Sequence, residues 1–192
     1  CPSSGYARLI SVNTTAQLAS ALSGAQPGDQ IRLAAGTYSG PQEFARSGTA
    51  NAPIFICGNP GVWPVFKGGG RFRINAAYAT ITGIVFSGPN GSDVNVWISG
   101  GHDLNFIRNE VKDSDGHAGV SVDATYNLKI MYNYFHNNGS ASIDHGIYYR
   151  AQITTPTTRN LIANTLITTS GGRGISMHDN GGGAISYTTV TQ

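Results

Sequence analysis

A carboxylate, a guanidinium and an imidazole recur at nearly equal spacing in this chain: Asp123, Arg150 and His178, separated by 27 and 28 residues. Each type has a chemical use. Arginine presents a planar fork that matches a carboxylate at two points. Histidine exchanges a proton near neutral pH, and Tyr148 is a second group able to take or give one. Asp123, with Asp113, Asp115 or Asp144 from neighbouring turns, offers oxygen ligands that suit calcium. Trp97 and Tyr148 offer flat rings for stacking on a sugar. Arg73, Lys112 and Arg173 add positive charge nearby. The same residues also fit a plainer description, a surface ladder of ion pairs and stacked rings that contributes little to stability.

What would align them is a repeat. Gly119-Val120-Ser121-Val122-Asp123 matches Gly146-Ile147-Tyr148-Tyr149-Arg150 and Gly174-Ile175-Ser176-Met177-His178. Asn95 to Ser99 and Arg71 to Asn75 fit the same frame without the glycine. Strand alternation sends Phe72/Ile74, Val96/Ile98, Val120/Val122, Ile147/Tyr149 and Ile175/Met177 inward. It sends Arg73/Asn75, Trp97/Ser99, Ser121/Asp123, Tyr148/Arg150 and Ser176/His178 outward, into one column. A second register sets Leu104-x-x-Ile107-x-Asn109 against Leu128-x-x-Met131-x-Asn133 and Ile162-x-Asn164, with Gly83 in the same slot one coil earlier. Asparagine at one turn of each coil tolerates a left-handed backbone and bonds to the coils above and below. The expected fold is therefore all-β: a right-handed parallel β-helix, a solenoid.

The first part of the chain reads differently. Asn13-Thr14-Thr15 can cap a short helix with Leu18, Leu22 and Ala25 on one face. Pro27-Gly28-Asp29 turns into a strand at Ile31-Arg32-Leu33, which ends at Gly36-Thr37-Tyr38. Such a helix covers the open end of a solenoid. The expectation is one domain, 1–192, with a cap and first strands over 1–51 and coils over 52–192. The repeat stops at Gln192 with no obvious polar cap, which points to a fragment or to self-association through that end.

Composition narrows the function classes. Charged residues make up 11% of the 192 residues, 26 are glycine, and the net charge is +2. A charged helical bundle is excluded by the shortage of helix formers, and nucleic-acid binding is disfavoured by the absence of a basic run. No apolar stretch is long enough to span a bilayer. Cys1 and Cys57 are expected to pair, which suits an oxidising, extracellular setting. Sequons at Asn13, Asn90 and Asn138 point the same way.

The run Ala25-Gln26-Pro27-Gly28-Asp29-Gln30-Ile31-Arg32-Leu33-Ala34-Ala35-Gly36-Thr37-Tyr38 resembles the opening of secreted β-helix proteins of the pectate-lyase-like superfamily, in particular the alginate lyase and chondroitinase B branch. Gly48 to Ile54, Ile81 to Phe86 and Asp144-His145-Gly146-Ile147-Tyr148 resemble further parts of that pattern. The resemblance implies a secreted lyase that cleaves a uronic-acid polysaccharide by β-elimination, with calcium as the cofactor. Where that branch carries a strand of acidic ligands followed by Lys, Gly119 to Asp123 has one acid and no Lys.

Laid onto this sequence, the expected catalytic residues are Arg150, His178 and Tyr148. Arg73, Trp97, Asp123 and Arg173 would bind an acidic polysaccharide, and Asp123, Asp115 and Asp144 would hold calcium. The alternative is a non-catalytic β-helix for glycan binding, surface adhesion or self-assembly. His117 and His145, which precede the glycines of successive coils, can stack beside the outward column; with Asp115 and Asp144 they could bind a transition metal, and they are read rather as structural turn histidines.

Overall fold

The structure is a computed structural model that describes residues 1–59, 61–88, 94–151, 157–168, 170–179, 185–186 and 189–191. Short strands with alternating apolar residues stack in parallel into a solenoid of about six turns. Each turn runs through three sheets in the same order. Sheet 1 has eight strands: Arg8–Val12, Asp29–Leu33, Ile54–Gly58, Ala77–Thr82, His102–Ile107, Tyr126–Met131, Leu161–Ala163 and Thr189–Thr191. Sheet 2 is built from Thr37–Tyr38, Val65–Lys67, Val85–Ser87, Glu110–Lys112, Tyr134–His136 and Leu166–Thr168. Sheet 3 comprises Gln42–Phe44, Phe72–Ile74, Val94–Ser99, Ala118–Asp123, His145–Ala151 and Arg173–Asp179. The solenoid thus starts earlier than the expected coil region, because the strands near residues 8 and 29 already belong to sheet 1.

The repeat read from sequence sets sheet 3. Phe72, Val96, Val120, Ile147 and Ile175 are register partners on successive strands. The inward pairs from Phe72/Ile74 through Ile147/Tyr149 are all buried. In the last strand Ile175 is partly buried and Met177 is exposed. Burying a large apolar side chain is worth about 1.5–3 kcal/mol, so this column supplies much of the driving force. Phe66, Phe72, Phe86 and Phe106 extend the core as rings 5.3–6.1 Å apart. Two of the glycines that lead these strands, Gly119 and Gly146, have a steric cause. A Cβ on Gly119 would lie 2.8 Å from the Asn138 side chain and 2.9 Å from the Gly146 carbonyl, and one on Gly146 would lie 2.8 Å from the Gly174 carbonyl.

Asparagines tie coil to coil. Asn109 Oδ1 accepts from the Ile84 amide, Asn133 Oδ1 accepts from the Asn109 amide, and Asn133 Nδ2 donates to the Phe106 carbonyl. Asn138 and Asn160 do the same at other turns. The register corrects the expectation at two places. Ile107 pairs with Thr82 and Met131 with Ala163, so Asn109 aligns with Ile84 and Asn133 with Thr165. Gly83 and Asn164 instead fall in the adjacent left-handed column with Arg108 and Tyr132. Thr165 replaces the ladder asparagine, its hydroxyl accepting from the Asn133 amide.

At the N-terminal end the helix Thr15–Ser23 is capped by Thr14, whose hydroxyl accepts from the Gln17 amide at 3.2 Å. Leu18, Ala21 and Leu22 are its buried face. Cys1 and Cys57 form the expected disulfide, with Cα atoms 5.5 Å apart. The sequon at Asn138 is not available to a glycan in the folded chain, because its side chain is buried and bonded to the Ser114 amide and the Val111 carbonyl. Asn90 and Gln192, with the expectations resting on them, lie outside the described residues. Among the described residues, no helix is long and apolar enough to cross a membrane.

Candidate active site: an arginine-lined groove on sheet 3

Sheet 3 turns its polar column outward, as alternation requires. Arg73, Trp97, Ser121, Tyr148 and Ser176 are register partners on five strands, and Ser99, Asp123, Arg150 and His178 are partners two residues on. Ser121 is the small member between two aromatics. With coils about 4.8 Å apart, Trp97 and Tyr148 stand about 10 Å from each other, and a dent opens over Ser121. The dent has a volume of about 270 Å³ and is lined by Arg71, Val94, Trp97, His117, Ser121, Tyr148 and Arg150.

Asp123 is the buried anchor of this face. Its side chain is 0% exposed, and it accepts from Arg150 Nε at 2.8 Å, Arg150 Nη2 at 2.9 Å and Trp97 Nε1 at 2.5 Å. The carboxylate beside it raises the Arg150 pKa above the ordinary arginine value. The arrangement fixes the Arg150 guanidinium and the indole plane together. Trp97 in turn carries two more cations, with the Arg71 guanidinium carbon 4.4 Å and that of Arg73 4.8 Å from its ring centre. Arg73 also pairs with Glu43 at 3.5 Å. Arg71 makes no ion pair among the described residues. The groove therefore presents three guanidiniums, while its innermost carboxylate is covered.

Aromatic and imidazole rings form the other wall. Tyr148 stacks on His145 at 5.0 Å and meets His117 edge-to-face at 4.5 Å; the two histidine rings are 4.9 Å apart. His145 is buried, and burial, His117 and Arg173 together lower its pKa against the opposing pull of Asp144. His117 is only partly buried and lines the dent itself.

The structure brings together Arg73, Trp97, Asp123, Tyr148 and Arg150, as the column requires. His178 is in the file beside Arg150 but exposed, its ring 6.4 Å from that of Tyr148. Arg173 sits at the column's edge beside His145. Lys112 is on sheet 2 and pairs with Glu110 at 2.8 Å. Trp97 does not offer a bare ring to a sugar, because arginines cover it.

The residues expected to hold calcium do not fit it. Asp123 spends both oxygens on Arg150 and Trp97, Asp144 Oδ2 accepts from the Ser140 and Ala141 amides, and Asp115 is exposed elsewhere. Among the described residues, no three acidic, histidine or cysteine side chains gather as a metal site.

Sequence reasoning missed Arg71 and placed His117 at a turn. Arg71 was within reach, since it lies two residues before Arg73 and immediately precedes strand Phe72–Ile74. His117 stands beside the column, as its place before Gly119 suggested, its ring turned toward Tyr148 from just before strand Ala118–Asp123.

Residues 65–191 match the family described as the right-handed β-helix region, and residues 12–111 match the chondroitinase B family. The chain belongs to both families. Among curated proteins, none matches this β-helix. Solved structures do. An alginate lyase from Paenibacillus sp. str. FPU-7 superposes with a TM-score of 0.76 at 22% identity, over 95% of this chain and 74% of that one. Pectate lyase Pel9A gives 0.74 at 15% identity, over 91% and 51%, and ORF18 of Geobacillus virus E2 gives 0.63 at 15%, over 88% and 40%. The β-helix spans about half of Pel9A and less of the viral protein. Its architecture is lyase-like, and identities this low speak to fold alone.

Proposed function

We propose that this β-helix is a polysaccharide lyase acting on a uronic-acid polymer by β-elimination. One observation carries the reading: two arginines, an imidazole and a phenol line one dent, a third arginine stands over the adjoining Trp97 ring, and the nearest carboxylate is sealed beneath. In the elimination a base removes the C5 proton, a C4–C5 double bond forms, and the C4–O bond breaks. The bond's electron pair leaves with the glycosidic oxygen, which takes up a proton. Neutralising the uronate carboxylate makes the C5 proton more acidic.

Arg71 is the neutralising cation in this account, with Arg150 fixed beside it by Asp123. A guanidinium suits the task because it meets a carboxylate at two points. His117 takes the C5 proton and Tyr148, in ring contact with it, protonates the leaving oxygen. His178 and Arg173, at the open side of the column, contact the flanking sugars. No step is routed through calcium.

The test is product absorbance. Incubation with alginate, pectate and chondroitin in chelator should release unsaturated uronates on one polymer, and His117→Ala should abolish the signal while His178→Ala lowers it only severalfold. Equal loss in both variants assigns the base to the exposed edge instead. No product from any polymer, with retention of the same polymers on the folded protein, would favour non-catalytic glycan binding.

A further inference from the structure

A cleft of about 740 Å³ lies away from the groove, at the corner where sheet 1 turns into sheet 2. It shares no lining residue with the groove. Its outer wall is an insertion. Between their sheet 1 and sheet 2 strands, three later coils use only residues 83–84, 108–109 and 132–133, whereas the coil of Cys57 uses 59–64. That extra length carries Trp63 out to 52% exposure. Opposite stand Tyr132, 52% exposed, and Tyr134, 41% exposed, three coils farther along the solenoid.

The corner column also runs against backbone preference. Its positions are left-handed in Gly83, Arg108, Tyr132 and Asn164, with φ of 69°, 53°, 57° and 48°. Glycine or asparagine occupies such positions with least strain; arginine and tyrosine hold them here, as Tyr78, Ala124 and Arg159 do at other positions. Arg108 stands 5.7 Å over the Tyr132 ring and makes no ion pair among the described residues. The acid in the cleft, Glu110, is already matched by Lys112 at 2.8 Å and His136 at 3.0 Å. The cleft is thus aromatic on both sides, with one uncompensated cation between.

We infer that this corner is a second, non-catalytic site for an acidic polysaccharide. Successive sugar rings stack on Trp63 at one end and on the two tyrosines at the other, about 14 Å apart at about 4.8 Å per coil, and Arg108 between them meets a sugar carboxylate or sulfate. Its register along the solenoid axis lets a polymer bound there run parallel to one in the groove. Retention of the polymer between cleavage events follows from two sites on one rigid body.

The inference is independent of lyase activity, and the experiment separates the two. Affinity electrophoresis in gels containing alginate, pectate or chondroitin is run on an Arg71→Ala/Tyr148→Phe background, which disables cleavage. The background protein should be retarded by at least one polymer. Trp63→Ala should weaken retention about five- to tenfold, Trp63→Phe should restore most of it, and Arg108→Asn should weaken it with a reduced salt dependence. On the unmodified groove, Trp63→Ala should leave turnover of short oligosaccharides unchanged. Retention unaffected by Trp63→Ala, or no retention by any polymer, overturns the inference. Retention that depends on Trp63, together with no product from any of the three polymers by the protein with its groove unmodified, overturns only the lyase reading.

Discussion

Asp123 and Arg150, on adjacent coils of sheet 3, are joined at two points, 2.8 and 2.9 Å, with the carboxylate fully buried beneath the guanidinium. The pair binds two coils and sets the indole of Trp97. Removing the arginine strands a buried charge, so Arg150→Ala should cost about 3 kcal/mol, the low end for a broken buried pair since Arg150 is itself partly exposed. Urea unfolding of Arg150→Ala, Asp123→Ala and the double variant should give a double-mutant coupling of at least about 1 kcal/mol. Additive losses would show that the pair is not coupled.

Arg71 is expected to act on substrate and not on stability. A charge-assisted contact is worth about 1.5–3 kcal/mol, so Arg71→Ala should lower kcat/KM on the preferred polymer by about 10- to 100-fold. Its melting temperature should stay within a degree or two of the parent. A stability loss matching that of Arg150→Ala would make Arg71 structural.

The asparagine ladder makes two contrasting predictions. Asn133→Ala leaves the buried Asn109 amide and Phe106 carbonyl without partners and should cost about 2–4 kcal/mol. Asn164, exposed and left-handed, should tolerate glycine with little change. Equal costs at both sites would contradict the register.

Burial lowers the His145 pKa, and nearby His117 and Arg173 push the same way. In the unfolded chain this histidine binds a proton near its ordinary value, while in the folded chain it resists doing so. Stability should therefore fall as pH drops through the ordinary histidine range, and be unaffected by His145 above it. His145→Gln should flatten the melting-temperature profile between about pH 7 and 5. An unchanged slope would remove His145 as its source.

Sheet 3 was legible because a strand's period of two, repeated once per coil, fixes both which residues are buried and which share a column. Val120, Ile147 and Tyr149 went inward, Tyr148 and Arg150 outward, and the Cys1–Cys57 disulfide followed from composition. The slip between Asn164 and Thr165 was not legible. Both residues suit a turn, and the longer coil before them hides which one continues the ladder. The calcium expectation turns on a different point. Asp123 was placed on the right column, but only side-chain geometry shows that Arg150 and Trp97 consume its oxygens. Likewise the alternation that aims Trp97 outward says nothing of the two arginines that settle on its ring.

The central claim is tested most directly by product absorbance with the wild-type chain and His117→Ala on alginate, pectate and chondroitin, both proteins checked for an intact fold by melting temperature. The account predicts unsaturated uronate from one polymer with the wild type, persisting in chelator, and none with His117→Ala. Unsaturated product formed at the wild-type rate by His117→Ala, or no product from the wild type on any of the three, would contradict it.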